Sequence, residues 1–190
     1  RIAPDVTVTV SGKLTVEGTV TVEGILLADG TINVTETGTI VRRKQEQLEI
    51  QDIGNRTYGD DSFTLAVNGG SGVGAVTFES SDPSVLSISG NTATIRKAGT
   101  VVITATKSED YTFKETSAIQ PVDIERKRVT IQAENISVKK EEQLPGFTYV
   151  PLTLAYQDRI ETEPVLTSSV IDTGVIGEYS IEIKGAVLTN

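Results

Sequence analysis

The chain has 190 residues, 17 of them basic and 26 acidic, giving a formal net charge of −9, and it contains no Cys, His, Met or Trp. Without Cys or His, a thiol nucleophile, a Ser-His-Asp triad and the usual zinc sites are excluded, leaving only carboxylate, Lys, Ser or Tyr chemistry. The acidic balance repels phosphate backbones and anionic lipid surfaces, so no nucleic-acid partner is expected. No apolar run approaches the roughly 18 residues of a membrane span, so no membrane insertion is expected in this segment.

With no disulfide available, each folded unit must be held by its apolar core alone. Shifts in composition along the chain favour small units in series, over residues 1–46, 47–125 and 126–190. Arg1 is not an initiator residue and no apolar leader precedes it, which suggests a mature or truncated chain.

From Val6 to Ile40 the apolar residues fall almost entirely on even numbers: Val6, Val8, Val10, Leu14, Val16, Val20, Val22, Leu26, Ile32, Val34 and Ile40. Glycines recur every six residues at Gly12, Gly18, Gly24 and Gly30, with Gly38 two residues late, a repeat of the form Gly-x-apolar-x-apolar-x. A meander with two-residue turns would set even Leu14 and Val16 opposite odd Thr21 and Thr19, scattering apolar side chains over both faces. A chain that keeps winding one way points every even residue inward. Residues 1–46 are therefore expected to form a short β-solenoid-like segment continuing upstream of Arg1. An irregular hairpin arm packed on the next domain is the alternative. The cluster Arg42-Arg43-Lys44 at the junction reads as a solvated turn.

Leu48 to Ile53 supplies a first alternating strand of the next domain. Phe63–Val67, Ala75–Glu79, Ser84–Ile88, Asn91–Ile95 and Thr100–Thr106 are β-branched runs separated by Gly, Asn, Asp and Pro, as in an immunoglobulin-like β-sandwich. Its expected core sets Val101, Ile103 and Ala105 against Leu65, Phe78, Val85, Ile88 and Ile95, with Val102 partly exposed. The loop Asn68–Gly74 holds four glycines. It lacks the Lys and the following helix of a phosphate-binding loop, so it is expected to be a tight connection whose glycines take positive φ.

Beyond Lys127, Val129–Ala133, Ile136–Val138, Phe147–Tyr149, Leu152–Leu154 and Tyr179–Ile183 are strand candidates of a second small β-rich domain. The whole chain is thus expected to be all-β.

Candidate chemistry is sparse. The adjacent pairs Asp60-Asp61, Glu109-Asp110 and Glu141-Glu142 point to opposite faces of an extended backbone, whereas a glycosidase needs two carboxyls about 5 to 9.5 Å apart across a cleft. Solvated turns are the better reading. Asp60, Asp61 or Asp110 offers hard oxygen ligands for calcium, but the spaced Asp-x-Asp loop is missing. Asn33, Asn55 and Asn135 begin glycosylation triplets, which arise by chance in a Thr-rich chain. Tyr58, Tyr111, Tyr149, Tyr156 and Tyr179 are candidates for sugar stacking, although their spacing shows no cluster. No catalytic, cofactor-binding or metal-binding residue is assigned.

Tyr58-Gly-Asp60, Gly69-Gly-Ser-Gly72, Gly74-Ala-Val-Thr77, Ser80-Ser-Asp-Pro-Ser-Val85, Gly99–Thr106 and Asp110-Tyr111 together resemble bacterial immunoglobulin-like repeats of the invasin and intimin type. Ala133-Glu-Asn135, Leu144–Tyr149 and Val175–Gly185 resemble the MBG group of bacterial surface repeats, with Glu141–Leu144 replacing the Tyr-Gly-Asp turn usual there. The resemblance implies a non-catalytic segment of a secreted or cell-wall-attached bacterial protein, extracellular, acting as stalk, spacer or adhesion module. Its partner would be a host or cell-wall glycan or a protein ligand. The alternative is a carbohydrate-binding accessory region of a larger wall-active or glycan-degrading enzyme.

Overall fold

Period-two alternation from Thr7 onward leaves the chain few options besides short strands with one apolar face, and the computed structural model is all-β. It describes residues 1–156, 158–169 and 174–189. Among these no helix is long and apolar enough to cross a membrane. The chain divides into two compact units: Arg1–Arg56 with Asp60–Ile124, and Thr57–Gly59 with Glu125–Asn190.

The first unit opens with β1 (Thr7–Val10), β2 (Lys13–Val16), β3 (Thr19–Thr21), β4 (Ile25–Ala28), β5 (Thr31–Val34) and β6 (Thr39–Val41). All pair in parallel: β1 with β4, β2 with β5, β3 with β6. Thr7 lies opposite Ile25 and Lys13 opposite Thr31, a step of 18 residues, so three strands make one turn of a coil. On the third side Thr19 lies opposite Thr39, a step of 20. The two extra residues, visible in the sequence as the late Gly38, are taken up in the corner after β5. There Thr35 Oγ1 donates to Val16 O and Thr37 Oγ1 to Glu17 O. Because the insertion is even, Ile40 still points inward.

Ile2, Val16, Val22, Leu26, Ile32 and Ile40 are buried in the coil, with Val8, Val10, Leu14, Val20 and Ala28 packed against them. Thr7, Thr9, Thr15 and Thr19 are exposed and Thr21 is half-buried. Val6 and Val34 depart from the parity: both are exposed, Val6 in the bend before β1 and Val34 at the end of β5 beside the two-residue insertion.

The sandwich follows: β7 (Leu48–Ile50), β8 (Arg56–Thr57), β9 (Phe63–Thr64), β10 (Val67–Gly69), β11 (Val76–Ser80), β12 (Leu86–Ser89), β13 (Thr92–Ile95), β14 (Gly99–Lys107) and β15 (Thr116–Glu125). One sheet has the order β11-β14-β15-β8, a second β12-β13-β9, and β10 pairs with β7. The run Phe63–Val67 is not one strand as expected. It changes sheets at Leu65 and Ala66, where Leu65 N donates to Asn91 O and Ala66 O accepts from Gln51 N. This crossover buries Leu65 completely.

Val101, Ile103, Ala105, Leu65 and Ile95 are buried as expected, and Val102 faces out. Phe78, Val85 and Ile88 are only half-buried, and the deepest residue of their region is Leu86. The strand starts at Leu86, which pairs with Ile95, while Val85 belongs to the preceding turn and its carbonyl accepts from Arg96 N and Lys97 N. Burying each such aliphatic side chain contributes about 1.5 to 3 kcal/mol.

The second unit has β16 (Ile160–Thr162), β17 (Val165–Ser168), β18 (Ile181–Lys184) and β19 (Val187–Leu188), with β16 pairing β19 and β17 pairing β18, both antiparallel. Val129–Ala133, Ile136–Val138, Phe147–Tyr149 and Leu152–Leu154 do not form strands; a single antiparallel bridge joins Ala133 to Tyr149. Their alternate residues Val129, Ile131 and Ala133, Phe147 and Tyr149, and Leu152 and Leu154 are still half-buried, so the alternation survives without a continuous ladder. Among the described residues of this unit the buried apolar side chains are Tyr58, Ala155 and Pro164.

Candidate functional site

Two arrangements stand out, one within each unit. The first joins the coil to the sandwich through the loop between β14 and β15. In a parallel ladder alternate residues turn their backbone groups to opposite edges. Ile25 N donates to Val6 O and Asp29 N to Val10 O, so Leu26 turns its N–H and C=O toward the downstream edge of the coil. There Thr112, only 2% exposed, meets both. Its Oγ1 accepts from Leu26 N at 2.9 Å and donates to Leu26 O at 3.0 Å. One hydroxyl thus occupies the place of a neighbouring strand, and Tyr111 packs on the coil core beside it.

Asp110 holds that loop in shape. Its Oδ1 accepts from Thr112 N at 2.8 Å and Phe113 N at 2.7 Å, and its Oδ2 from Val73 N at 2.8 Å. Gly72 is required here, because a Cβ on it would lie 2.0 Å from Asp110 Oδ2. The glycine loop is therefore a seat for Asp110, with Gly69, Gly70 and Gly72 at positive φ. Three backbone donors engage the carboxylate and tie it to both loops. Among the described residues no three acidic side chains converge as around a metal ion.

The junction cluster is not a solvated turn throughout. Arg42 is half-buried, its Nε donating to Asp110 O at 2.6 Å and its guanidinium lying 3.6 Å from Glu109. Arg43 lies over the Phe113 ring, 5.2 Å from the centroid, and Lys44 is exposed. Two residues on, Gln45 is buried, its Nε2 donating to Lys114 O at 2.7 Å and Ser108 O at 3.3 Å while its Oε1 accepts from Ser71 N at 3.0 Å. Sequence reasoning passed over Gln45 and Thr112. For Thr112 a signal existed, since Asp110 two residues before it is the pattern of an Asx turn; for Gln45, inside a charged run, there was none.

The second arrangement is aromatic. Tyr58 and Tyr156, far apart in sequence, bring their ring centroids to 5.3 Å at a 45° tilt. Tyr58 is 6% exposed and donates from Oη to Asp158 Oδ1 at 2.9 Å. Burial raises its phenol above the ordinary value of 10.0, and the hydrogen bond to Asp158 raises it further. Tyr156 is 57% exposed and sits at φ 49°, in a turn closed by Asp158 N donating to Ala155 O. A non-glycine residue at positive φ is uncommon and costs about 1 to 3 kcal/mol, so the fold holds this ring outward against a local preference.

The remaining candidates stay apart. Tyr149 Oη donates to Glu163 Oε2 at 2.7 Å beside a shallow groove, and Tyr179 Oη to Val175 O at 3.4 Å. Asp61 is exposed, and Glu141 and Glu142 sit in a turn where Glu142 N donates to Lys139 O. Asn33, Asn55 and Asn135 are all exposed. No family model, curated protein or solved structure matches this chain.

Proposed function

We propose that this chain is a non-catalytic segment of a bacterial cell-surface or secreted protein, acting as a stalk, spacer or adhesion module outside the cell. The observation that carries the reading is the junction. Thr112, Asp110, Arg42 and Gln45 fasten the coil to the sandwich through side-chain and backbone hydrogen bonds, the two of Thr112 buried and the others partly so. Such fastening makes two successive segments one rigid element, as a stalk requires, where a spacer with a loose linker would bend. The carboxylates best placed for chemistry are spent on backbone caps and ion pairs. The resemblance of the sandwich and the last domain to bacterial surface repeats supports the same reading and the extracellular location. Protease shaving of intact source cells tests it: peptides of this chain should appear in the released fraction, and their recovery only after lysis overturns the location.

The second reading, a carbohydrate-binding accessory region of a larger wall-active or glycan-degrading enzyme, is favoured by the Tyr58–Tyr156 pair. An exposed aromatic ring backed by a second ring can stack on the apolar face of a sugar. A glycan array decides it. Micromolar binding to one polysaccharide, lost in Tyr156→Ala with the unfolding midpoint unchanged, establishes this reading. An array without binding leaves the stalk.

A further inference from the structure

The coil's repeat places a glycine at each of several corners, and the structure shows what those glycines are for in the second turn only. A Cβ on Gly24 would lie 2.1 Å from Val6 O, on Gly30 2.0 Å from Gly12 O, and on Gly38 2.0 Å from Val16 O. None of the three has positive φ, so backbone freedom is not the reason. Each is glycine because the carbonyl of the turn stacked upstream occupies the space of its side chain. Gly12 and Gly18 belong to the same repeat, yet a Cβ on either would meet nothing within 4 Å. They too lack positive φ. Within the structure these two glycines have no steric reason to be glycine.

The backbone at this level is equally incomplete. Val6, Val10, Gly12, Val16 and Gly18 turn their carbonyls to the second turn, so Thr7, Thr9, Lys13 and Thr15 turn their N–H and C=O groups to the upstream side. Among the described residues these groups have no backbone partner there. On the third side a partner has begun to form. Ile2 N donates to Thr21 O at 2.8 Å, Glu23 N donates to Ile2 O at 2.8 Å, and Ile2 bridges Val22 in parallel. The apolar layer Val8, Val10, Leu14 and Val20 beneath this face is only half-buried.

We infer that the upstream face of the coil is a docking face for one further parallel turn of the same hexad coil, continuous with the Ile2 pairing, whose corner carbonyls seat against Gly12 and Gly18. The occupant has a defined chemistry: even-numbered aliphatic side chains inward to cover Val8, Val10, Leu14 and Val20, and a backbone running parallel to β1 and β2. The two open glycine positions repeat the geometry that Val6, Gly12 and Val16 fill one turn below. The inference goes beyond the stalk reading and does not depend on where the protein resides.

The test duplicates residues 7–24 in place within the full chain, adding one 18-residue turn in register with the existing step. The duplicated chain should melt above the parent. Gly12→Ala and Gly18→Ala should leave the parent's melting temperature unchanged. The same changes in the lower copy of the duplicated chain should lower it by about 5 °C or more. Amide exchange at Thr9 and Thr15 should slow in the lower copy. A duplicated chain that melts no higher than the parent overturns the inference, as does a lower copy that tolerates Gly12→Ala as well as the parent does. Dimerisation of the parent, lost in Gly12→Val, would assign the face to a second copy and would overturn it too.

Discussion

Thr112 and Leu26, 86 residues apart, share a two-way hydrogen bond in which a single buried hydroxyl accepts from the N–H and donates to the C=O of the same residue. It closes one point on the edge of β4 that would otherwise need a further strand. An unpaired strand edge is a template for pairing with another chain, so this hydroxyl also guards against edge-to-edge association.

Replacing it tests that role. Thr112→Val keeps the shape but leaves two buried backbone groups unpaired, at about 1 to 3 kcal/mol each. The first unit should lose about 2 to 4 kcal/mol in denaturant unfolding, with faster amide exchange at Leu26, whereas Thr112→Ser should restore most of both. Equal behaviour of the Val and Ser variants would show that packing alone matters.

Asp110 should be as sensitive for a different reason. Asp110→Ala strands the N–H groups of Val73, Thr112 and Phe113, and with them the loop that carries Thr112. A loss of about 2 to 4 kcal/mol is expected, since hydrogen bonds to a charged acceptor contribute about 1.5 to 3 kcal/mol each and this site is partly solvated. Gly72→Ala keeps the Asp110 side chain but should lower stability, through the clash of the new Cβ with Oδ2 and its strain at φ 71°. Urea unfolding of the three proteins gives the ranking, and a harmless Gly72→Ala would contradict the geometry.

Parity in the coil makes a paired prediction. Val16 is buried and Thr15 beside it is exposed. Val16→Asp places a charge among Leu26, Ile32 and Ile40 and should unfold the coil, at a cost above about 3 kcal/mol, while Thr15→Asp should be nearly neutral. Circular dichroism melts of both variants separate the outcomes, and equal effects would refute inward parity.

The phenol of Tyr58 gives the second unit an alkaline limit. Its folded value is raised, first by burial and then by Asp158, so the folded state holds the proton more tightly than the unfolded chain. That contribution is fully present below the unfolded phenol value of about 10 and is lost as pH rises through the higher folded value. Unfolding followed by tyrosine fluorescence should show stability falling above pH of about 10, with a shallower fall in Tyr58→Phe. An identical slope in the two proteins would remove Tyr58 as the cause.

Local periodicity carried much of this fold in the sequence. Even-numbered side chains must share a face of any extended chain, so Val16, Val22, Leu26, Ile32 and Ile40 could be placed inside before any strand was paired. An even insertion at Gly38 cannot flip them. The alternation in Thr100–Thr106 placed Val101, Ile103 and Ala105 for the same reason. From Val129 to Leu154 the alternation turned the same side chains inward but did not decide whether a partner strand would lie alongside, and the runs form no strands. Tertiary structure alone decided the rest: the change of sheet at Leu65, the burial of Gln45, the capping of loop amides by Asp110, the meeting of Tyr58 with Tyr156, and the seat of Thr112 on Leu26. Each is a contact between groups far apart in the chain, or a polar side chain whose burial depends on a partner from another loop. Periodicity reports which face a residue shares with its neighbours, and it carries no information about which distant backbone group will come to lie against that face.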